Sequence, residues 1–274
     1  MSIRNFRPRR RSRRELSPLQ NLSLTITLAI AIGLQIAYPL LSGEALRIVT
    51  IAVVYWGAAA MLVHALVSYG LTYALRYFAI TFFFALGIEL IGVKTGWPFG
   101  SYTYSVDLGY QIYGVPLVVP FAWIMMAHPI FLMARRLSRH WSFLVGGYGL
   151  MAWDLFLDPQ MVSAGRWTWS GINGSHVPFQ PEIPLSNAFG WLLSGIALMS
   201  LLNLALPRDR RRHASRNIPE LFVAWTWLSG IIANLFFFDR PGVAFFAGLA
   251  LGVIVIWHFI AARFGRSEIG RAHV

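Results

Sequence analysis

Three carboxylates stand inside apolar runs of this chain: Glu89 near the end of one, Asp154 within another, and Asp158 four residues further on. Only eleven of the 274 residues are Asp or Glu, so where these three fall matters. A carboxylate in a hydrocarbon setting is costly; one kept there is either paired with donors or used for chemistry. Residues four apart share a helix face, so Asp154 and Asp158 stand side by side. Two such groups repel when both are charged, and one proton held between them removes the repulsion. A retained proton is what general acid catalysis requires. The plainer alternative is a set of helix-end carboxylates that reach headgroup water or bond a tyrosine.

Each of the first two carboxylates is followed by the same sequence plan. Gly100-Ser101-Tyr102-Thr103-Tyr104-Ser105 is echoed by Gly165-Arg166-Trp167-Thr168-Trp169-Ser170, at an offset of 65 residues that also carries Glu89 onto Asp154. Val115-Pro116-Leu117 with Trp123 is echoed by Ile183-Pro184-Leu185 with Trp191. The order of matched features reads as an internal repeat, helix 3–loop–helix 4 against helix 5–loop–helix 6. Tyr102, Tyr104, Trp167 and Trp169 serve either as an interfacial aromatic belt or as ring faces over an apolar or cationic guest. Asp107 and Glu182 are loop residues placed to line a pocket mouth. Asn187 opens the sixth helix as a cap-region group or a donor into the pocket. His128 has no second histidine at metal-ligand spacing and reads as a core residue, and no metal site is expected.

The elements that must position these groups follow from composition. The chain is 57% hydrophobic and 12% charged, about half the charged fraction of a soluble domain, with a mean hydropathy of +0.57. Its long apolar runs predict a polytopic, all-α membrane helix bundle, since backbone polar groups in lipid are satisfied within helices. About eight transmembrane helices are expected: 22–41, 46–67, 73–93, 113–134, 141–157, 186–206, 219–238 and 243–262, with Pro159 as the stop of the fifth. They make one transmembrane domain over 19–263, between a basic, disordered arm at 1–18 and a basic tail at 264–274. Cysteine is absent, which excludes disulfides and thiolate catalysis. No signal peptide is evident.

Net charge is +12, carried almost wholly by arginine. The arginines cluster beside apolar runs: seven in the first arm, three in 135–139, five in 208–216 and three in 263–271. That pattern points to anionic lipid and to topology rather than to nucleic acid. It places both termini in the cytoplasm of a multi-pass cell-membrane protein, and both aromatic loops on the outer side.

The Asp154-Leu-Phe-Leu-Asp158 spelling resembles the aspartate motif of UbiA-like intramembrane prenyltransferases, which pair two such motifs around magnesium; a second motif is absent here. A non-catalytic lipid-binding or transport protein is a further alternative. Taken together, Glu89-Leu-Ile-Gly-Val, Thr95-Gly-Trp-Pro-Phe-Gly-Ser-Tyr-Thr-Tyr, Gly114-Val-Pro-Leu, Trp153-Asp154-Leu-Phe-Leu-Asp158-Pro and Ile183-Pro-Leu-Ser-Asn187 resemble the CruF-like carotenoid biosynthesis proteins, from about the third helix to the sixth. That family includes carotenoid 1',2'-hydratases and bisanhydrobacterioruberin hydratases. The resemblance implies a lyase-type hydratase that adds water to the terminal double bond of an acyclic C40 or C50 carotenoid in the bilayer, with no cofactor, working among other enzymes of carotenoid biosynthesis. On this reading Glu89, Asp154 and Asp158 are the catalytic carboxyl groups, with Asp154 or Glu89 as the acid. Tyr102, Tyr104, Asp107, Trp167, Trp169 and Asn187 then surround the end group.

Overall fold

The computed structural model of the chain describes residues 16–172, 174–208 and 217–271, with side chains through Arg263 except at residue 217. The basic run at 209–216 and nearly all of the arm expected at 1–18 lie outside the described residues. Among the described residues eight α-helices follow one another: α1 (Pro18–Ala37), α2 (Gly43–Tyr69), α3 (Leu71–Thr95), α4 (Val118–Leu137), α5 (Ser142–Ser163), α6 (Leu185–Ala205), α7 (Asn217–Phe236) and α8 (Pro241–Arg271). Seven of them, all but α5, are long and apolar enough to cross a membrane. The chain is thus an all-α polytopic membrane bundle. Ser17 starts α1 with a capping box: its hydroxyl accepts from the Gln20 N–H at 3.3 Å, and its own N–H bonds Gln20 Oε1 at 3.1 Å, so two orphan donors are satisfied reciprocally.

The exception, α5, packs against α4, α6 and α8. A helix enclosed by other helices need not match the hydropathy of one facing lipid, and α5 carries Asp154, Asp158 and Gln160. Small residues let it close on α6. A Cβ added at Gly195 would lie 2.9 Å from the Gly147 Cα, so the backbones meet there without side chains between them.

Pro159 does not end α5, contrary to the expectation from sequence; the helix runs on to Ser163. Proline removes the N–H that would bond the carbonyl four residues back, here that of Leu155. The buried Gln180 side chain supplies the missing donor, with Nε2 bonding the Leu155 oxygen at 3.0 Å. The fourth helix also starts later than expected, at Val118 rather than Tyr113. Residues 111–116 fold as a hairpin of β2 (Gln111–Ile112) and β3 (Val115–Pro116). Tyr113 and Gly114 have positive φ of 48° and 90°, as a two-residue turn matched to strand twist demands. At the other end of the chain α8 continues past Ala262.

The remaining strands complete the loop end of the bundle: β1 (Tyr102–Tyr104), β4 (Trp167–Trp169), β5 (His176–Val177) and β6 (Gln180–Pro184). Strands β1 and β4 pair antiparallel, with Tyr102 opposite Trp169, Thr103 opposite Thr168 and Tyr104 opposite Trp167. Thr103 therefore faces its own repeat equivalent. The pairing extends by Ser105 N–H to Arg166 O and by Ser170 N–H to Ser101 O, both 2.8 Å, and these two bonds are also repeat equivalents of each other. The two aromatic loops are halves of one clasp with a local two-fold axis between Thr103 and Thr168.

Candidate functional site

The clasp covers a cavity of about 660 Å³, counted with its open mouth, in the loop end of the bundle. Two carboxylates reach its wall from different repeat halves: Glu89 from α3 and Asp158 from α5. Aromatic rings make much of the rest, with Tyr102, Tyr104, Trp123, Trp167, Trp169 and Trp191 all present. Thr50 and Val54 close it from α2.

Glu89 is 3% exposed. Its Oε2 accepts from the Tyr102 hydroxyl at 2.6 Å and the Tyr104 hydroxyl at 2.8 Å, and its Oε1 accepts from Trp123 Nε1 at 3.2 Å. Three donors on one carboxylate are what its ionised form needs when water is excluded. The geometry depends on Gly92, one turn further along α3, because a Cβ there would lie 2.5 Å from the Tyr102 hydroxyl oxygen. Burial, followed by the Glu89 charge, pushes both tyrosine hydroxyls above their ordinary range, which keeps them as donors.

On the opposite half Asp158 accepts from Trp167 Nε1 at 3.2 Å. The Asn187 amide, at the start of α6, bridges the aspartate pair: its Nδ2 bonds Asp154 Oδ2 at 3.0 Å and also Asp158 Oδ2. Asp154 is buried behind the wall, and its Oδ1 is without a hydrogen-bond partner among the described residues. One amide donor set between two carboxylates fixes their positions, and a proton on one of them relieves their repulsion. The arrangement is the reverse of a cation site, since an N–H points where a metal would sit.

Of the residues singled out from sequence, Glu89, Asp158, Tyr102, Tyr104, Trp167, Trp169 and Asn187 are brought to this cavity. Asp154 is one layer back. Asp107 lies outside the wall and pairs at 3.6 Å with the buried Arg166 guanidinium, while its neighbour Leu108 lines the cavity. Glu182 also turns away, to Arg240. His128 is fully buried, and its Nε2 meets His64 Nδ1 at 3.0 Å. Trp123 and Trp191 were legible only as markers of the repeat. They stack on each other, with centroids 4.3 Å apart and planes at 12°, and so form a second self-equivalent contact on the local axis. The repeat is unequal where it counts: the first-half positions matching Asp158 and Asn187 are Val93 and Val119.

Fold and site together define a polytopic membrane protein with a carboxylate-bearing aromatic chamber under a loop clasp. The chain belongs to the carotenoid biosynthesis protein family, whose model matches residues 49–256. It is 34% identical over 184 residues to the bisanhydrobacterioruberin hydratase of Haloarcula japonica, a match that spans 64% of this chain and 60% of that relative. No solved structure matches it significantly.

Proposed function

We propose that this protein is a carotenoid hydratase, a cofactor-independent hydro-lyase that adds water across the terminal C1,C2-type double bond of an acyclic carotenoid end group. The observation that carries the reading is that Glu89 and Asp158, from opposite repeat halves, face one aromatic-walled chamber. Membership of the carotenoid biosynthesis family supports the substrate class, and the likeness to a relative named as a hydratase supports the reaction type.

Hydration of a trisubstituted alkene starts with a proton delivered to the less substituted carbon, which leaves a tertiary cation. Asp158 is the acid; the like charge of Asp154 beside it keeps a proton on the pair until the alkene arrives, and the Asn187 amide fixes the position of both carboxyl groups. The cation forms between ring faces and carboxylates, both of which stabilise positive charge. Glu89, already organised by Tyr102, Tyr104 and Trp123, orients a water and takes its proton as the C–O bond forms. The second proton balances the first, so no redox partner is needed. In the cell membrane, with both termini cytoplasmic, the basic segments face anionic lipid headgroups and the clasp faces outward.

The test is hydration of an acyclic carotenoid by membranes carrying the wild type, Glu89→Gln or Asp158→Asn, read by chromatography and mass. Each variant loses at least about 100-fold in rate, in line with removal of a positioned acid or base. In deuterium oxide the product gains one carbon-bound deuterium beside the new hydroxyl carbon. Full hydration by both variants sinks the assignment. A prenyl diphosphate substrate with magnesium dependence would instead favour the transferase reading.

A further inference from the structure

A second cavity adjoins the acid chamber. It lies among α1 and the turn after it, α2, α5 and α7, and measures about 1190 Å³ with its open mouth. Four residues line both spaces: Thr50 and Val54 on α2, Leu157 and Met161 on α5. The two cavities are therefore separated by no more than one layer of side chains. Three hydroxyls in the second wall are spent on backbone carbonyls, Thr226 on Phe222 at 2.8 Å, Ser229 on Thr226 at 3.4 Å and Thr50 on Leu46 at 2.7 Å, and Gln35, Tyr38, Gln160 and Trp225 are the further polar side chains there. What remains toward the space is mainly apolar. At its rim Ile36 and Leu40 beside α7, and Ile232 and Phe237 beside α1, are exposed apolar residues, on a face of the bundle where lipid is the solvent.

We infer that this second cavity binds the body of a long acyclic isoprenoid chain, which enters sideways from the bilayer between α1 and α7 and lays its end group against Asp158 and Glu89. The inference rests on the hydratase reading for the fate of the end group. The occupant follows from continuity: a guest of the acid chamber longer than an end group has this apolar space next to it. An aqueous or charged substrate has no reason to follow that route.

Ala233→Trp on α7 and Val53→Trp on α2 fill the second cavity from positions outside the acid-chamber wall. Ser229→Leu gives a third, milder block, and circular dichroism reports whether each variant folds. Two probes are used with the full chain in nanodiscs: an acyclic carotenoid, and a short acyclic isoprenoid hydrocarbon with the same terminal double bond. Bound carotenoid per protein is expected to drop about tenfold in the folded tryptophan variants, while hydration of the short hydrocarbon stays within about twofold of wild type. Carotenoid retention at the wild-type level in the folded variants overturns the inference. So does a wild type that retains phospholipid there and no carotenoid. A wild type that binds carotenoid, loses it on blocking, yet hydrates neither probe upholds the cavity and refutes the hydratase reading instead.

Discussion

Trp123 and Trp191 stack at 4.3 Å across the local two-fold axis, and only Trp123 reaches a carboxylate, donating its indole N–H to Glu89. The two rings are equivalent in the repeat but not in the site. Trp123→Phe keeps an aromatic face and removes one of three donors to Glu89, so hydration falls by about tenfold, equivalent to one charge-assisted hydrogen bond of roughly 1.5–3 kcal/mol at its lower end. Trp191→Leu loses the stack, worth about 0.5–1.5 kcal/mol beyond its buried area, and one ring face of the chamber, so its Tm falls while its rate falls less than that of Trp123→Phe. Parallel rate and thermal-unfolding measurements check the contrast. Equal effects on rate from both variants would remove Trp123 from the proposed role.

Pro159 and Gln180 form a compensated pair. Gln180→Leu leaves the Leu155 carbonyl without its donor in a buried helix, a loss of about 1–3 kcal/mol. Pro159→Ala restores a backbone N–H for that carbonyl. The combination of Pro159→Ala with Gln180→Leu is therefore more stable than Gln180→Leu alone, as followed by thermal unfolding in detergent. No recovery in the combined variant would show that Gln180 acts elsewhere.

This pair shows where sequence reading ran out. Glu89, Asp154 and Asp158 were legible because charge inside apolar runs is costly and rare, and the repeat tied the first two together. The stop assigned to Pro159 failed because the compensating donor arrives from Gln180, 25 residues from Leu155, and no local rule anticipates it. Thr50 and Val54 carry no signal at all, since an apolar helix face looks the same whether it meets lipid, core or cavity. The apolar run through Ile112, Val115 and Val118 hid a hairpin. Register was hidden too: the aromatic pairs announced two similar loops, and only the structure pairs them with each other. Asp154 looked equivalent to Glu89 by offset, yet Asp158 takes the wall position because the second half has an extra carboxylate one turn along.

The raised hydroxyls of Tyr102 and Tyr104 give stability a pH signature. Burial, then the Glu89 charge, favours their neutral form in the folded protein. The folded-state value lies above the unfolded one of about 10, so this contribution is fully present below about pH 10 and declines as pH rises beyond it. Denaturant or thermal titration between neutral and strongly alkaline pH is expected to show a flat region followed by a fall, with a shallower fall in Tyr104→Phe. An identical alkaline slope in that variant would contradict the assignment.

The inequality of the repeat supplies the sharpest test of the aspartate pair. Val93 and Val119 show that a half of this fold is built with valine at the positions of Asp158 and Asn187. Asn187→Val removes the amide that bonds Asp154 and Asp158, leaving two buried carboxyl groups without that donor, and costs about 1–3 kcal/mol. Asp158→Val removes one of those carboxyl groups together with the repulsion. In the double variant the missing amide has one carboxyl group fewer to satisfy, so the two losses do not add. A coupling of roughly 0.5–3 kcal/mol is expected from the thermodynamic cycle. Activity behaves differently: both single variants and the double variant lose hydration, because valine neither carries a proton nor positions a neighbouring carboxyl group. A stable double variant that is inactive would separate the cost of burying the pair from its use. Additive stability losses, or a double variant with wild-type hydration, would show that Asn187 does not serve the aspartates.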